Sequence, residues 1–149
     1  ALDMLQAMNT GHEGSLTTLH SNAPRDTLAR LETMVLMAEM NLPLAAIREQ
    51  IASAVDIIVH QTRFACGTRV VTSITELTGM ESGTIQLQEL FRFHNQGYLG
   101  PGGRIAGVFT GCDIVPSFYE DLRATGHDLD MAIFRQAPGL AEPRHAERA

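Results

Sequence analysis

The sequence predicts an α/β chain, built from helix–strand–helix units followed by a β-hairpin and a helical tail. Three observations carry this prediction. Apolar residues recur at helical spacing in residues 2–8, 28–38 and 44–55. A β-branched run, Asp56-Ile57-Ile58-Val59-His60, follows the last of these. Thr84 to Phe93 then alternates apolar and polar residues, the period of a strand with one buried face.

The first helix places Leu2, Leu5 and Met8 on one face and closes at Thr10-Gly11, because glycine takes the left-handed cap conformation without a Cβ penalty. No cap and no initiator methionine precede it, so the chain is expected to start inside an element of a longer protein. Ser15 to Leu19, rich in hydroxyl and β-branched residues, favours a short strand. Asn22 then offers a capping oxygen and Pro24 a preset φ for the second helix. His20 is thereby expected at the carboxyl end of the strand, where ligands sit in an open α/β sheet.

The stretch Asn9 to Asn22 is chemically dense, with His12, His20, two glycines and five hydroxyl side chains in fourteen residues. At about 3.3 Å per residue, His12 and His20 stand up to roughly 26 Å apart if the chain is extended, so they do not share one phosphate or metal unless it bends at Gly14. His20 is expected to face the ligand. His12 is expected at the strand's opposite end, ordering a loop or meeting a neighbouring subunit. The plainer reading, that one or both histidines satisfy loop backbone groups, stands beside this.

From Asp26 the apolar positions Leu28, Leu31, Val35 and Ala38 keep helical spacing, with Arg30 and Glu32 on the outer face. Met34, Met37 and Met40 read as adaptable core or interface filler. Asn41-Leu42-Pro43 ends this helix, and Pro43 opens the next, whose face is Leu44, Ile47, Ile51, Ala54 and Val55. Residues 56–60 form a short buried strand, with His60 at the edge of the core. After a turn at Cys66-Gly67, residues 69–77 and 84–93 make a hairpin bent at Gly79 and Glu81-Ser82-Gly83. Its buried face is Ile85, Leu87, Phe91 and Phe93. Arg63 and Arg69 flank the first turn, within reach of a phosphate or simply of solvent. Residues 97–111 are glycine-dense and read as a flexible connector. Pro116 to Thr125 returns to helix, burying Phe118 and Leu122 and stopping at Gly126; residues 129–134 add a turn, and residues from 137 onward are polar and expected to be disordered.

Composition removes several function classes. A net charge of −6 argues against a general nucleic-acid-binding face, and no run of eighteen apolar residues spans a bilayer. Cys66 and Cys112 lack CxxC spacing and read as reduced thiols. His12-Glu13-Gly14-Ser15-Leu16 is not HExxH, no GxSxG is present, and residues 97–111 hold neither GxxxxGKS/T nor a GxGxxG after a strand. No metal site is expected.

One positive match remains. The run from Ala1 to Asn22, with Gly11, His12, Gly14, Ser15, Thr17, Thr18 and His20 in order, resembles the histidine box of the type II/IV secretion-system ATPases, in their CpaF branch. Arg30-Leu31-Glu32, the segment Ile51 to Asp56, the strand pair to Phe93 and residues 107–126 continue the likeness, which covers about residues 1–135. The resemblance implies part of a RecA-like, P-loop ATPase lobe over residues 1–94, a connector and helical extension over 95–136, and a tail over 137–149. It implies a hexameric ring on the cytoplasmic face of the inner membrane, working on pilus or secretion platform proteins and not on nucleic acid. By matching position His20 takes the phosphate-sensing role and His12 the supporting one, with Ser15 and Thr18 as nucleotide-binding residues. ATP and Mg²⁺ are implied for the full-length protein.

The chain departs from the family's pattern in lacking the phosphate-binding loop and the glutamate that positions the attacking water. Phosphoryl transfer depends on both, so the chain alone is expected neither to bind nor to hydrolyse ATP appreciably. A rival reading is a non-catalytic interaction module that uses the methionine-rich helix and the hairpin as docking surfaces. Pilus retraction motors and conjugative transfer ATPases are more distant alternatives within the ATPase reading.

Overall fold

The computed structural model describes residues 2–10, 14–38, 42–100, 102–128 and 130–140. Three helices come first: α1 (Leu2–Asn9), α2 (Pro24–Ala38) and α3 (Leu44–Ala54). Four strands follow, β1 (Ile57–Arg63), β2 (Arg69–Glu81), β3 (Thr84–Tyr98) and β4 (Ile105–Gly111), then α4 (Tyr119–Ala124) and a 3-10 turn at Met131–Phe134. The strands form one antiparallel sheet in the order β1-β2-β3-β4. The helices and this sheet make a mixed fold of the α/β kind.

Amphipathic spacing explains how the helices meet the sheet. Leu28, Leu31 and Val35 from α2 and Ile47, Ile51 and Ala54 from α3 form one cluster with Leu5, Ile58, Leu77 and Ile85. Fully burying an aliphatic side chain is worth about 1.5–3 kcal/mol, and Leu5, Val35, Ile47 and Ile51 are at 0% exposure. Polar ties fix the layer. Arg48 Nε donates to Glu32 Oε1 at 2.9 Å, and Arg48 Nη1 donates to the Gly83 carbonyl at 2.9 Å. One side chain on α3 thus clamps α2 and the β2–β3 turn. Pro24 is the first residue of α2 as expected, but the Ala23 carbonyl accepts from Thr27 N–H, which puts Ala23 and not Asn22 at the cap.

The structure corrects several local expectations. Residues 15–19 are not a strand: strand propensity forms nothing without a backbone partner, and none pairs with them among the described residues. β1 is not a buried strand; it is a sheet edge, with Val59 58% exposed. The alternation in β3 breaks at a bulge, because Ile74 pairs with Phe91 while Thr75 pairs with Glu89. Leu90 is left as the extra residue and is buried, whereas Phe91 and Phe93 are half-buried. Phe91 stacks on Phe109 at 5.8 Å, and Phe93 meets Phe64 at 6.0 Å.

The glycine-dense stretch is not a connector throughout. β3 runs on to Tyr98 and residues 105–111 are β4, so only residues 99–104 join them. Two of its glycines serve close approach: a Cβ on Gly107 would stand 2.3 Å from the Phe93 ring, and one on Gly111 would stand 2.1 Å from the Phe134 carbonyl oxygen. The chain end docks on β4, with Asp113 N–H donating to Phe134 O at 2.8 Å and Ala137 N–H to Thr110 Oγ1 at 2.8 Å. Residues 137–140 therefore include a bonded backbone, and 141–149 lie outside the described residues. α4 is shorter than expected, and Tyr119 is its buried residue while Phe118 and Leu122 are half-buried. Gly126, at φ +90°, ends it as anticipated. Cys66 and Cys112 are free thiols. Hydrogen bonding with Thr68 holds the Cys66 thiol below its ordinary range, and burial pushes Cys112 up.

Candidate functional site

Residues 17–22 run as irregular chain into the first turn of α2. The Ser21 and Thr27 hydroxyls hydrogen-bond each other, and Thr27 Oγ1 donates to the Ala23 carbonyl at 3.2 Å. These bonds hold the segment against the helix start. Across from it lies β1, and between the two is a cleft of about 710 Å³. Thr18 and His20 line one side, Ile58 and His60 the other, and the core residues Leu28 and Leu31 lie between. Arg30, in the second turn of α2, also lines the cleft and is exposed.

The expected site residues divide accordingly. His20 is exposed and lines the cleft with Thr18. Ser15 is exposed and does not line it. His12 lies outside the described residues. Sequence reading put Arg30 on an outer face and gave His60 little weight, yet both belong to this cleft. The period of β1 was the available signal for His60, since it shares the face of the buried Ile58.

Chemically the cleft is a set of hydrogen-bond donors over an apolar floor. A neutral imidazole supplies one donor and one acceptor, a hydroxyl one donor, and guanidinium a fixed charge. No carboxylate lines it, and no group of three or more candidate metal ligands exists among the described residues. The β1 backbone adds more polar groups. Leu77 N–H donates to Asp56 O, so ladder alternation turns the backbone groups of Ile58 and His60 toward β2 and those of Ile57 and Val59 toward the unpaired edge.

The structure is thus a layer of helices on an antiparallel sheet, with a histidine- and hydroxyl-lined cleft where an irregular segment enters α2. The particular family follows from comparison. The family model for the type II/IV secretion system protein matches residues 1–95, and the chain belongs to that family. A putative conjugal transfer protein of Mycobacterium tuberculosis (strain ATCC 25618 / H37Rv) is 38% identical over 85 residues, which is 57% of this chain and 23% of that relative. The conjugal transfer protein TrbB of Rhizobium radiobacter is 44% identical over 70 residues, covering 47% of this chain and 20% of the relative. The chain thus spans about a quarter or less of the curated relatives it matches. No helix among the described residues is long and apolar enough to cross a membrane.

Proposed function

We propose that this chain is the C-terminal portion of a secretion-system ATPase, carrying the part of the nucleotide site that reads the terminal phosphate. The supporting observation is the exposed His20 ring on the wall of a cleft it shares with Thr18 and Arg30, in a chain of the type II/IV secretion system family. In this reading the lobe is RecA-like and works in a hexameric ring, His20 is the sensor, His12 supports it, and Ser15 and Thr18 add hydroxyls. The lining donors fit a phosphoryl oxygen. They do not by themselves fit Mg²⁺, because no carboxylate lines the cleft among the described residues; in this reading the ion and the phosphate-binding loop belong to polypeptide outside these residues. Bound ATP would supply the reactive phosphoanhydride. The work of this chain's own groups is to hydrogen-bond the terminal phosphate and to lose that bond when the phosphate leaves, which is a known way to bias a switching element.

Within the family we assign the chain to the CpaF-type, pilus-assembly branch on the likeness of residues 107–126. The matched relatives carry conjugal-transfer names, and those alignments span 85 and 70 residues only. Met37 at 79% exposure and Met34 at 40% favour a second role for α2 as a contact surface, at the inner-membrane platform or a neighbouring subunit.

In the full-length protein, His20→Ala is expected to slow hydrolysis about 10- to 100-fold, the scale of losing one hydrogen bond to a charged group, with a smaller effect on nucleotide binding. Steady-state turnover and nucleotide titration of the two proteins measure both effects, and an unchanged rate removes the role. The isolated 149-residue chain is expected to show no turnover above its own His20→Ala variant.

A further inference from the structure

One end of the sheet differs in charge from the rest of the chain. The protein has 17 acidic residues and a net charge of −6, yet no Asp or Glu occurs in residues 57–75 or 90–112. Those stretches form the β1–β2 and β3–β4 turns with the strands leading into them. Both turns lie at the same end of the antiparallel sheet, and Phe64 after β1 meets Phe93 of β3 at 6.0 Å.

Three arginines stand at this end. Arg63 and Arg69 are direct cross-strand partners, and like charges so placed destabilise a sheet. Arg104 closes the second turn through its carbonyl, which accepts from Leu99 N–H at 3.1 Å. All three are exposed, and none makes an ion pair among the described residues. Two apolar side chains stand out beside them, Leu99 at 71% exposure and Tyr98 at 48%.

The acidic remainder does not cancel this end. β2 has 13 residues and so spans about 43 Å at 3.3 Å each, while the Debye length at physiological salt is about 8 Å. The first acidic residue along β2 is Glu76, seven residues and so about 23 Å from Arg69, nearly three screening lengths; Glu81 is farther still. Repulsion kept between Arg63 and Arg69 is relieved when an anionic surface approaches.

We propose that the end of the sheet bearing Arg63, Arg69 and Arg104 is a membrane-contact surface that docks on anionic phospholipid headgroups, with Tyr98 and Leu99 entering the interface. Guanidinium forks match phosphate oxygens, and tyrosine beside an exposed leucine is the side-chain pairing that headgroup regions accept. An acidic protein surface would satisfy the arginines but gives no reason for Leu99 and Tyr98 to stand in the open beside them. The assignment does not rest on the nucleotide reading, and its test uses no nucleotide.

The experiment is co-sedimentation of the 149-residue chain with vesicles of phosphatidylglycerol and phosphatidylcholine, against phosphatidylcholine alone. Binding is expected only with phosphatidylglycerol, and it should weaken steeply from 50 to 500 mM NaCl. Each arginine contributes about five-fold near an anionic surface, so R63A/R69A/R104A is expected to bind about 100-fold more weakly. Leu99→Ser should cost several-fold, and Arg123→Ala on α4 should cost nothing. Circular dichroism confirms that the variants keep their fold. A chain that stays in the supernatant with phosphatidylglycerol, or a triple variant that binds as well as the parent, overturns the proposal. So does a triple variant whose only change, by sedimentation velocity, is in oligomeric state, which would assign the arginines to contact between copies.

Discussion

Ile51→Ala is expected to destabilise the chain by about 2–5 kcal/mol, the range for deleting a buried aliphatic side chain whose site cannot collapse. Ile51 is at 0% exposure among Leu5, Val35 and Ile47, each also at 0%. These residues come from three different helices, and α3 additionally packs on β2, so filling the void would require several elements to move at once. Domains of this size hold about 5–15 kcal/mol in total, and a urea slope of about 1–3 kcal/mol/M converts the loss into a midpoint shift of about 1 M or more. Leu16→Ala is the control, because Leu16 is 99% exposed and exposed substitutions stay within about 0.5 kcal/mol. If the two variants unfold at the same urea concentration, the core is not organised around α3.

Glu76→Gln is expected to loosen the C-terminal third before the rest. Glu76 is 2% exposed, and its carboxylate accepts from Gln88 Nε2, from the Ser117 hydroxyl and from Ser117 N–H at 2.9 Å. No cation shares the carboxylate among the described residues. Its burial is offset by these donors alone, the condition under which a buried acidic group is tolerated. Glutamine turns an NH₂ group toward at least one of those donors, a loss of about 1–3 kcal/mol. Because the bonds join β2 to the segment before α4, the effect should be regional. Hydrogen exchange should rise at Tyr119–Ala124 and Met131–Phe134 and stay unchanged in α3. Ser117→Ala removes one donor of three and should do less. Equal protection of α4 in parent and Glu76→Gln would show that other contacts hold the extension.

How much of this was legible beforehand depends on whether the cause was local. α2 and α3 were readable because their amphipathic spacing is local, with Pro24 opening α2 and Pro43 at the cap just before α3. The expected strand at residues 15–19 failed because pairing is a property of two segments, and composition reports only one. The hairpin face was misread at Leu90, where a single extra residue opposite β2 shifts the alternation; the signal was Glu89 standing at an apolar position with Leu90 at a polar one. Glu76 sits in a run of threonines and aliphatics, and nothing nearby announces its burial; its partner Ser117 is 41 residues away. In the cleft, His20 and Thr18 came from one dense stretch and were legible. Arg30 and His60 join them only through the folding of α2 and β1 around the cleft, a relation that no window of sequence contains.

The edge of β1, which no strand among the described residues pairs, has a consequence for how the protein behaves in company. Between Ile57 and Thr62 it carries neither proline nor lysine, the residues that commonly guard such margins. Its bare peptide groups are a template for any extended chain, so in concentrated solution two copies can zip together there with every helix still intact. Clumping of this kind would reflect an unfilled seam and not a failure to fold.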